Sequence, residues 1–432
     1  MKKIIIAIIL SLPFMGFAQE KQELTLQKAI SIALEKNYGI VVQQKNVESA
    51  TLQNTWGNAG VLPTISLSGS GSDSWSSNDE DKLFTQSLNA SVNLNWTVFR
   101  GFGARIQKSK LDEMEKLYSG NLTITVENTI SNAIMAYQNV LFQAENVSLA
   151  KKVMELSDDR YQQIQMKVDL GTNVTYDLLQ AKNAYLQDKS NLLSATATYN
   201  NALRQLNFIM AVDVETKYEI IPSFQIVDTN FELYVLAEKL LSNNAQLKNQ
   251  YINLELSKLD VKAARSAYYP TLSVGASSGL SSSDNQYNIN SQLDNSNAGF
   301  VNSINANVSY SIYEGGRRKQ TLQTSKISLE IMDVQTNEMK HELKNQLAQE
   351  FELYNVRKEL VDLARENLEA AQLNLDLSKE RFENGTINSF NYRDIQQLYL
   401  NTALSYQHSI FNLNESYYTL LRLTGGIIEV FN

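Results

Sequence analysis

The pattern of apolar and polar positions changes period along this chain. From Ala90 to Val98 every second residue is apolar (Ala90, Val92, Leu94, Trp96, Val98), with Ser91, Asn93, Asn95 and Thr97 between them. The same dyad returns in Ile304, Ala306, Val308, Tyr310 and Ile312, interleaved with Asn305, Asn307, Ser309 and Ser311. A period of two predicts strands with one apolar and one polar face. Such strands suit either a half-wet soluble sheet or a barrel with lipid outside and water inside.

Elsewhere the period is helical. From about 104 to 168 there is no proline and one glycine, Gly120, and this predicts a single helix reaching roughly 100 Å at ~1.5 Å per residue. Its apolar steps Ile130, Ala133, Tyr137, Val140, Ala144 and Val147 alternate by three and four, a coiled-coil rhythm that calls for neighbouring helices. That stripe reports packing and carries no chemistry.

These elements occur twice. Residues 34 to 67 align without a gap on 241 to 274: Asn37 meets Asn244, Glu48 meets Glu255, Pro63 meets Pro270 and Ile65 meets Leu272. WTVFRG at 96 to 101 matches YSIYEG at 310 to 315, and KVDLGT at 167 to 172 matches RFENGT at 381 to 386. Each copy predicts a helix (about 25 to 60; 231 to 268), a short strand (64 to 72; 271 to 280), a long polar loop (73 to 86; 281 to 300) and a second strand (88 to 99; 302 to 313). A glycine break, a very long helix ending near 168 or 382, a glycine turn and a last helix follow. The organisation expected is a leader at 1–18, a first repeat at 19–212, a linker at 213–230 and a second repeat at 231–432.

The leader reading rests on Lys2 and Lys3, an apolar run from Ile4 to Leu12, and the small-x-small site Gly16-Phe17-Ala18 before Gln19. This is the pattern of a secretory signal peptide cut between Ala18 and Gln19, too short for a membrane span. No other stretch predicts a transmembrane helix.

Each copy offers two strands of about the length that crosses a bilayer when tilted. Four strands cannot close, and open edges are not tolerated in lipid, so a membrane role demands oligomerisation. Three copies would supply twelve strands around an aqueous lumen. Trp96, Phe99, Tyr310 and Tyr313, at the helix-proximal strand ends, are placed as an interfacial aromatic girdle.

Composition narrows the function. There is no cysteine, and the two histidines, His341 and His408, stand in unrelated helical contexts, so disulfides and thiolate or histidine metal sites are not expected. A net charge of −8 argues against nucleic acid. The sequence has no HExxH, GxSxG, P-loop or dinucleotide fingerprint, so neither an enzyme nor a cofactor is expected. GSGSDSW at 69 to 75 reads as strand packing rather than phosphate binding.

Several segments together resemble the TolC family of outer-membrane channels: LTLQKAISIALEKN (24 to 37), the strand starts LPTISL and YPTLSV, the strand exits FRGFGAR and YEGGRRK, AYQNVLFQAE (136 to 145), and the turns before DLLQA (177 to 181) and RDIQQ (393 to 397). The resemblance implies a mainly α fold with a small β part: duplicated long-helix hairpins forming a trimeric helical tunnel in the periplasm, and a twelve-stranded barrel in the outer membrane. It implies an exit duct for drugs, other small molecules or proteins, partnered by a periplasmic adaptor and an inner-membrane RND, ABC or MFS pump. The competing reading is a secreted or surface coiled-coil protein without a pore.

The resemblance also implies a gate at the turns around Gly171 and Gly385. In the family, acidic side chains just after the second turn narrow the periplasmic mouth, and the matching positions here are Asn391 and Asp394. One acid is kept and the other is an amide. Asp177 stands six residues past Gly171 in the first copy. The competing explanation for both acids is a place in the first turn of a helix, where a carboxylate favours the dipole by roughly 0.3–1 kcal/mol.

Overall fold

The computed structural model describes residues 22–77, 82–221, 229–287 and 295–431; the expected cleavage positions Ala18 and Gln19, and part of the expected linker, lie outside them. In chain order the elements are β1 (Gln22–Leu24), α1 (Leu26–Lys36), α2 (Tyr38–Gln53), β2 (Thr64–Ser77), β3 (Lys82–Arg100), α3 (Gly103–Asp169) and α4 (Thr175–Ile209). There follow β4 (Tyr218–Ile220), α5 (Leu233–Asn243), α6 (Ala245–Ser266), β5 (Thr271–Tyr287), β6 (Asn295–Ser309), α7 (Arg317–Glu383), α8 (Ser389–Leu423) and α9 (Ile427–Phe431). The fold is mainly helical with a smaller strand part, as the sequence led one to expect, and α3 and α7 each run for 67 residues.

Three expectations are corrected. The single helix expected before each first strand is two helices, broken at Asn37 and at Asn244. The Asn37 side chain accepts hydrogen bonds from the Gly39 and Ile40 amides at 2.9 and 3.4 Å, and Asn244 accepts one from Leu247 at 2.9 Å. Each is the N-cap of the second helix, so the aligned asparagines are duplicated stop-and-restart signals. The polar loops are also much shorter than expected, because the strands continue through Ser77 and from Lys82 in the first copy, and through Tyr287 and from Asn295 in the second. Ladder hydrogen bonds join backbones, so Ser, Asn and Asp extend a strand whose side chains do not advertise it. Finally, β6 ends at Ser309, and Tyr310 and Ile312 lie beyond it.

The chain divides into two units. One contains β1, α1, the later part of α3, α4, β4, the later part of α7 and most of α8. Here β1 and β4 pair in parallel, Leu24 opposite Ile220. The Tyr137 hydroxyl lies 3.1 Å from the Leu24 carbonyl oxygen and 2.9 Å from that of Ile221, and so pins this ribbon to α3. Ala133, Ile134, Tyr137, Val140 and Leu141 are buried, while Ala144 and Val147 are half-buried.

The other unit holds the four-stranded sheet, with order β2-β3-β5-β6 and every pair antiparallel. Its register sorts the side chains into rows. Ile65, Leu94, Ala276 and Ile304 stand side by side on one face; Ser66, Asn93, Ser277 and Ser303 form the next row on the opposite face. The apolar face is uncovered among the described residues: Ile65 is 71%, Leu67 80% and Ile304 86% exposed. A bulge between Thr97 and Phe99 takes Val98 out of register and sets Phe99 opposite Leu272, in a row with Val308.

In the helical part of this unit Gly120 serves Asn249. A Cβ at Gly120 would overlap the Asn249 amide, which donates to the Asn121 side chain at 2.7 Å and to the Leu117 carbonyl at 3.4 Å. Glu127 is buried nearby, and burial pushes its carboxyl up to about 7 against the opposing pull of Arg422 and Lys248.

Candidate functional site

The two hairpin turns are built alike. Leu170 and Gly171 close α3, and Asn384 and Gly385 close α7, with φ of 74° at Gly171 and 72° at Gly385, a left-handed conformation that glycine adopts without strain. The Thr172 amide donates to the Lys167 carbonyl at 2.8 Å and the Gly171 amide to Val168 at 2.9 Å; Thr386 donates to Arg381 at 2.8 Å and Gly385 to Phe382 at 3.1 Å. These paired bonds are Schellman caps. The Thr172 and Thr386 hydroxyls donate to the same Lys167 and Arg381 carbonyls, at 2.9 and 3.0 Å.

The helices that restart after the turns begin differently. Asn388 caps α8, its side chain accepting the Asn391 amide at 2.9 Å. No side chain caps α4 at Val174, and Asp177 lies in its first turn. Asn391 therefore occupies the place in α8 that Asp177 has in α4. The first turn of α8 contains no acid, and Asp394 sits one turn further on, which corrects the expectation that both aspartates lie in first turns. Since a helix dipole acts within its first turn, it accounts for Asp177 and not for Asp394. Asp394 and Asn391 are exposed and Asp177 is half-exposed.

Behind these positions lies an ionic cluster with no counterpart in the sequence expectations. Arg393 on α8 donates to both oxygens of Asp188 on α4, at 2.5 and 2.8 Å, and the Asp188 side chain is 2% exposed. Arg160 on α3 is also buried, donates to the Ser389 carbonyl at 3.2 Å, and leaves its Nε without an acceptor. Burial, followed by the nearby Arg393, lowers the Arg160 guanidinium to about 10, so it remains charged at neutral pH. Around the cluster, Ile164, Ala181, Leu375, Phe382, Tyr392, Tyr399 and Ala403 form an apolar core, with Phe382 stacked on Tyr392 at 4.9 Å and Lys167 over the Phe382 ring at 5.2 Å.

At the helix-proximal end of the sheet, Trp96 donates its indole N–H to the Val61 carbonyl at 2.8 Å. Phe99 belongs to an edge-to-face group with Phe102 at 5.3 Å and Tyr269 at 6.4 Å; neither companion was anticipated, because each lies just outside a dyad. Tyr310 sits beneath the Arg318 guanidinium at 5.4 Å, and Tyr313 is 84% exposed. At the distal end Trp75 and Phe84 form an unforeseen second aromatic pair, centroids 5.1 Å apart, inside what had been expected to be loop. Among the described residues, no group of three or more His, Cys, Asp and Glu side chains could hold a metal ion, and no helix is long and apolar enough to cross a membrane.

Comparison with known proteins accords with this geometry. The cation efflux system protein CusC of Escherichia coli O157:H7 is 21% identical over 379 residues, covering 85% of this chain and 78% of CusC. The outer membrane protein TolC of Escherichia coli K12 is 20% identical over 401 residues, 89% of this chain and 79% of TolC. The crystal structure of the Campylobacter jejuni CmeC outer membrane channel superposes with a TM-score of 0.75 at 18% identity, over 93% of this chain and 85% of CmeC. The outer membrane efflux protein family matches residues 29–212 and 236–426. The chain is thus an outer-membrane protein extending into the periplasm, and it belongs to the outer membrane efflux protein family, the family of TolC.

Proposed function

We propose that three copies of this chain close their sheets into a twelve-stranded barrel and form an exit duct, which receives cargo from a periplasmic adaptor and an inner-membrane pump of the RND, ABC or MFS type. The observation that carries the reading is the sheet itself. Its uncovered apolar face runs from the row of Phe99, Leu272 and Val308 to the row of Leu88, Ser282 and Ala298. That is ten residues along β5, or ~34 Å of strand, and ~26 Å of depth at a tilt of ~40°, close to the ~25 Å apolar band of outer-membrane barrels. The next row outward, Asp73, Gln86, Asp284 and Ser296, is polar, as the end of a lipid contact requires.

The strand directions favour closure by copies. Four alternating strands leave β2 and β6 antiparallel to each other, so the β6 edge of one copy fits the β2 edge of the next with the sense of the sheet unbroken. A secreted coiled-coil spacer has no use for such a face. On this reading Gly171 and Gly385 mark the periplasmic mouth, Asp394 lines it with Asn391 and Asp177 nearby, and Trp96, Phe99, Tyr310 and Tyr313 stand at the inner interface of the membrane. Native mass spectrometry of detergent-extracted protein, followed by conductance in planar bilayers, tests the proposal. A stable monomer that conducts nothing would sink it.

A further inference from the structure

A cleft of about 50 Å³ opens beside the ionic cluster, lined by Arg160, Asp177, Gln180, Ala181, Ser389 and Arg393 among others. We infer that it is a binding site for one small monovalent inorganic anion of the chloride class, held by the buried Arg160 guanidinium between the first turns of α4 and α8.

The charge count motivates the inference. Two guanidinium groups are largely withdrawn from water here, and the one buried carboxylate, Asp188, is already occupied by both donors of Arg393. Among the described residues Arg160 makes no ion pair and has a backbone carbonyl as acceptor for one of its donors. Asp188 pulls on Arg160 without an ion-pair contact, and a buried charge with no carboxylate in contact is unfavourable, a cost a guanidinium cannot escape by giving up its proton near neutral pH. The Nε–H of Arg160 has no acceptor among the described residues, in a side chain that is 3% exposed and lines the cleft.

Two further features suit an anion. The N-terminal turns of α4 and α8, each 35 residues long, meet the cleft at Asp177 and Ser389, and helix N-termini favour negative charge. The volume accommodates a monatomic ion or one or two waters, at ~30 Å³ per water. Asp177 opposes binding. It lines the same cleft, is half-exposed and forms an ion pair with neither arginine, so it weakens the site and restricts it to a single charge.

The test uses the full chain in detergent and does not depend on conduction, so it stands apart from the channel proposal. Chloride is titrated against gluconate at constant ionic strength while the melting midpoint is followed, and crystals grown in bromide are examined by anomalous scattering. The expected result is a saturable, chloride-specific rise in the midpoint, a bromide peak beside Arg160 Nε, and loss of the chloride effect in Arg160→Met. If Arg160→Met does not fold, Asp177→Asn provides the second arm: removing the opposing charge should tighten chloride binding about fivefold, the weight of roughly 1 kcal/mol between charges in a well-solvated site. Equal midpoints in chloride and gluconate with no bromide peak, or unchanged or weaker chloride binding in Asp177→Asn, would overturn the inference.

Discussion

Arg393 grips Asp188 through two parallel N–H donors, Nη1 to Oδ2 at 2.5 Å and Nη2 to Oδ1 at 2.8 Å, and so ties the start of α8 to the fourth turn of α4. Removing the carboxylate leaves Arg393 without its buried partner. Asp188→Ala should therefore cost about 3–5 kcal/mol, whereas replacing both members by leucine should be close to neutral. Thermal melts of the two variants, with proteolysis at the hairpin ends as a local probe, check this; equal losses in both would mean that the site needs the charges themselves.

Glu127 makes stability depend on pH. Its carboxyl is raised to about 7 in the folded chain from an ordinary 4.5, so the folded state favours the protonated form. Its contribution is fully present below about 4.5 and is lost as the pH rises to 7. The difference, at about 1.4 kcal/mol per pH unit, amounts to about 3 kcal/mol. Melting midpoints measured from pH 5 to 8 should fall in the wild type and fall less in Glu127→Gln. Parallel slopes would mean that the carboxyl finds water or a cation when it ionises.

The two helix restarts should differ in what they contribute. Asn37→Ala removes a partly exposed cap and should cost ~1 kcal/mol. Asn244→Ala should cost more, because this side chain is buried and its amide also donates to the Leu423 carbonyl at 3.0 Å, which would be left unpaired. Midpoints of the two variants, compared directly, decide the order.

Gly120→Ala reverses the usual expectation for a helix. Intrinsic propensity alone would favour alanine by about 1 kcal/mol. The added Cβ would displace the Asn249 amide and break its bonds to Asn121 and Leu117, so a net loss of stability is expected. Pairing the change with Asn249→Ala should restore most of that loss.

Asp394→Asn tests the mouth. If three-fold symmetry brings the carboxylates toward one axis, the variant should lose cation selectivity and be blocked less by divalent and trivalent cations from the periplasmic side. Asp177→Asn should change selectivity less, since its place in the first turn of α4 already accounts for its charge. Unchanged selectivity and block in Asp394→Asn would move the constriction elsewhere.

Much of the fold was legible because its signals are local and repeated. Glycine breaks before 104 and after 168 bracket α3 to within a residue, and strict dyads mark the later half of β3 and the end of β6. The break at Asn37 was hidden because apolar periodicity runs through it: Ile30, Ala33 and Ile40 are all buried. Strand length was underestimated where Ser, Asp and Asn dominate, since the partner backbone rather than the side chains sustains those residues. At the hairpin ends, Asp177 and Asp394 were visible from their spacing to glycine. Arg160, Asp188 and Arg393 were not, because α8, distant in sequence, meets α3 and α4 to bring them together and each alone resembles an ordinary surface charge.

On the proposed closure by copies, the edges of β2 and β6, which pair with no other strand of the four-stranded sheet, belong to a protein whose native state is not defined for one molecule. The inner strands β3 and β5 pair on both sides within the chain, and on that reading the outermost backbone donors and acceptors are satisfied by another copy. Stability is then a property of a population: it rises with the number of chains per area of membrane, and a melting point measured at one expression level does not transfer to another. Dilution into excess lipid or detergent would then act on the assembly as a denaturant does.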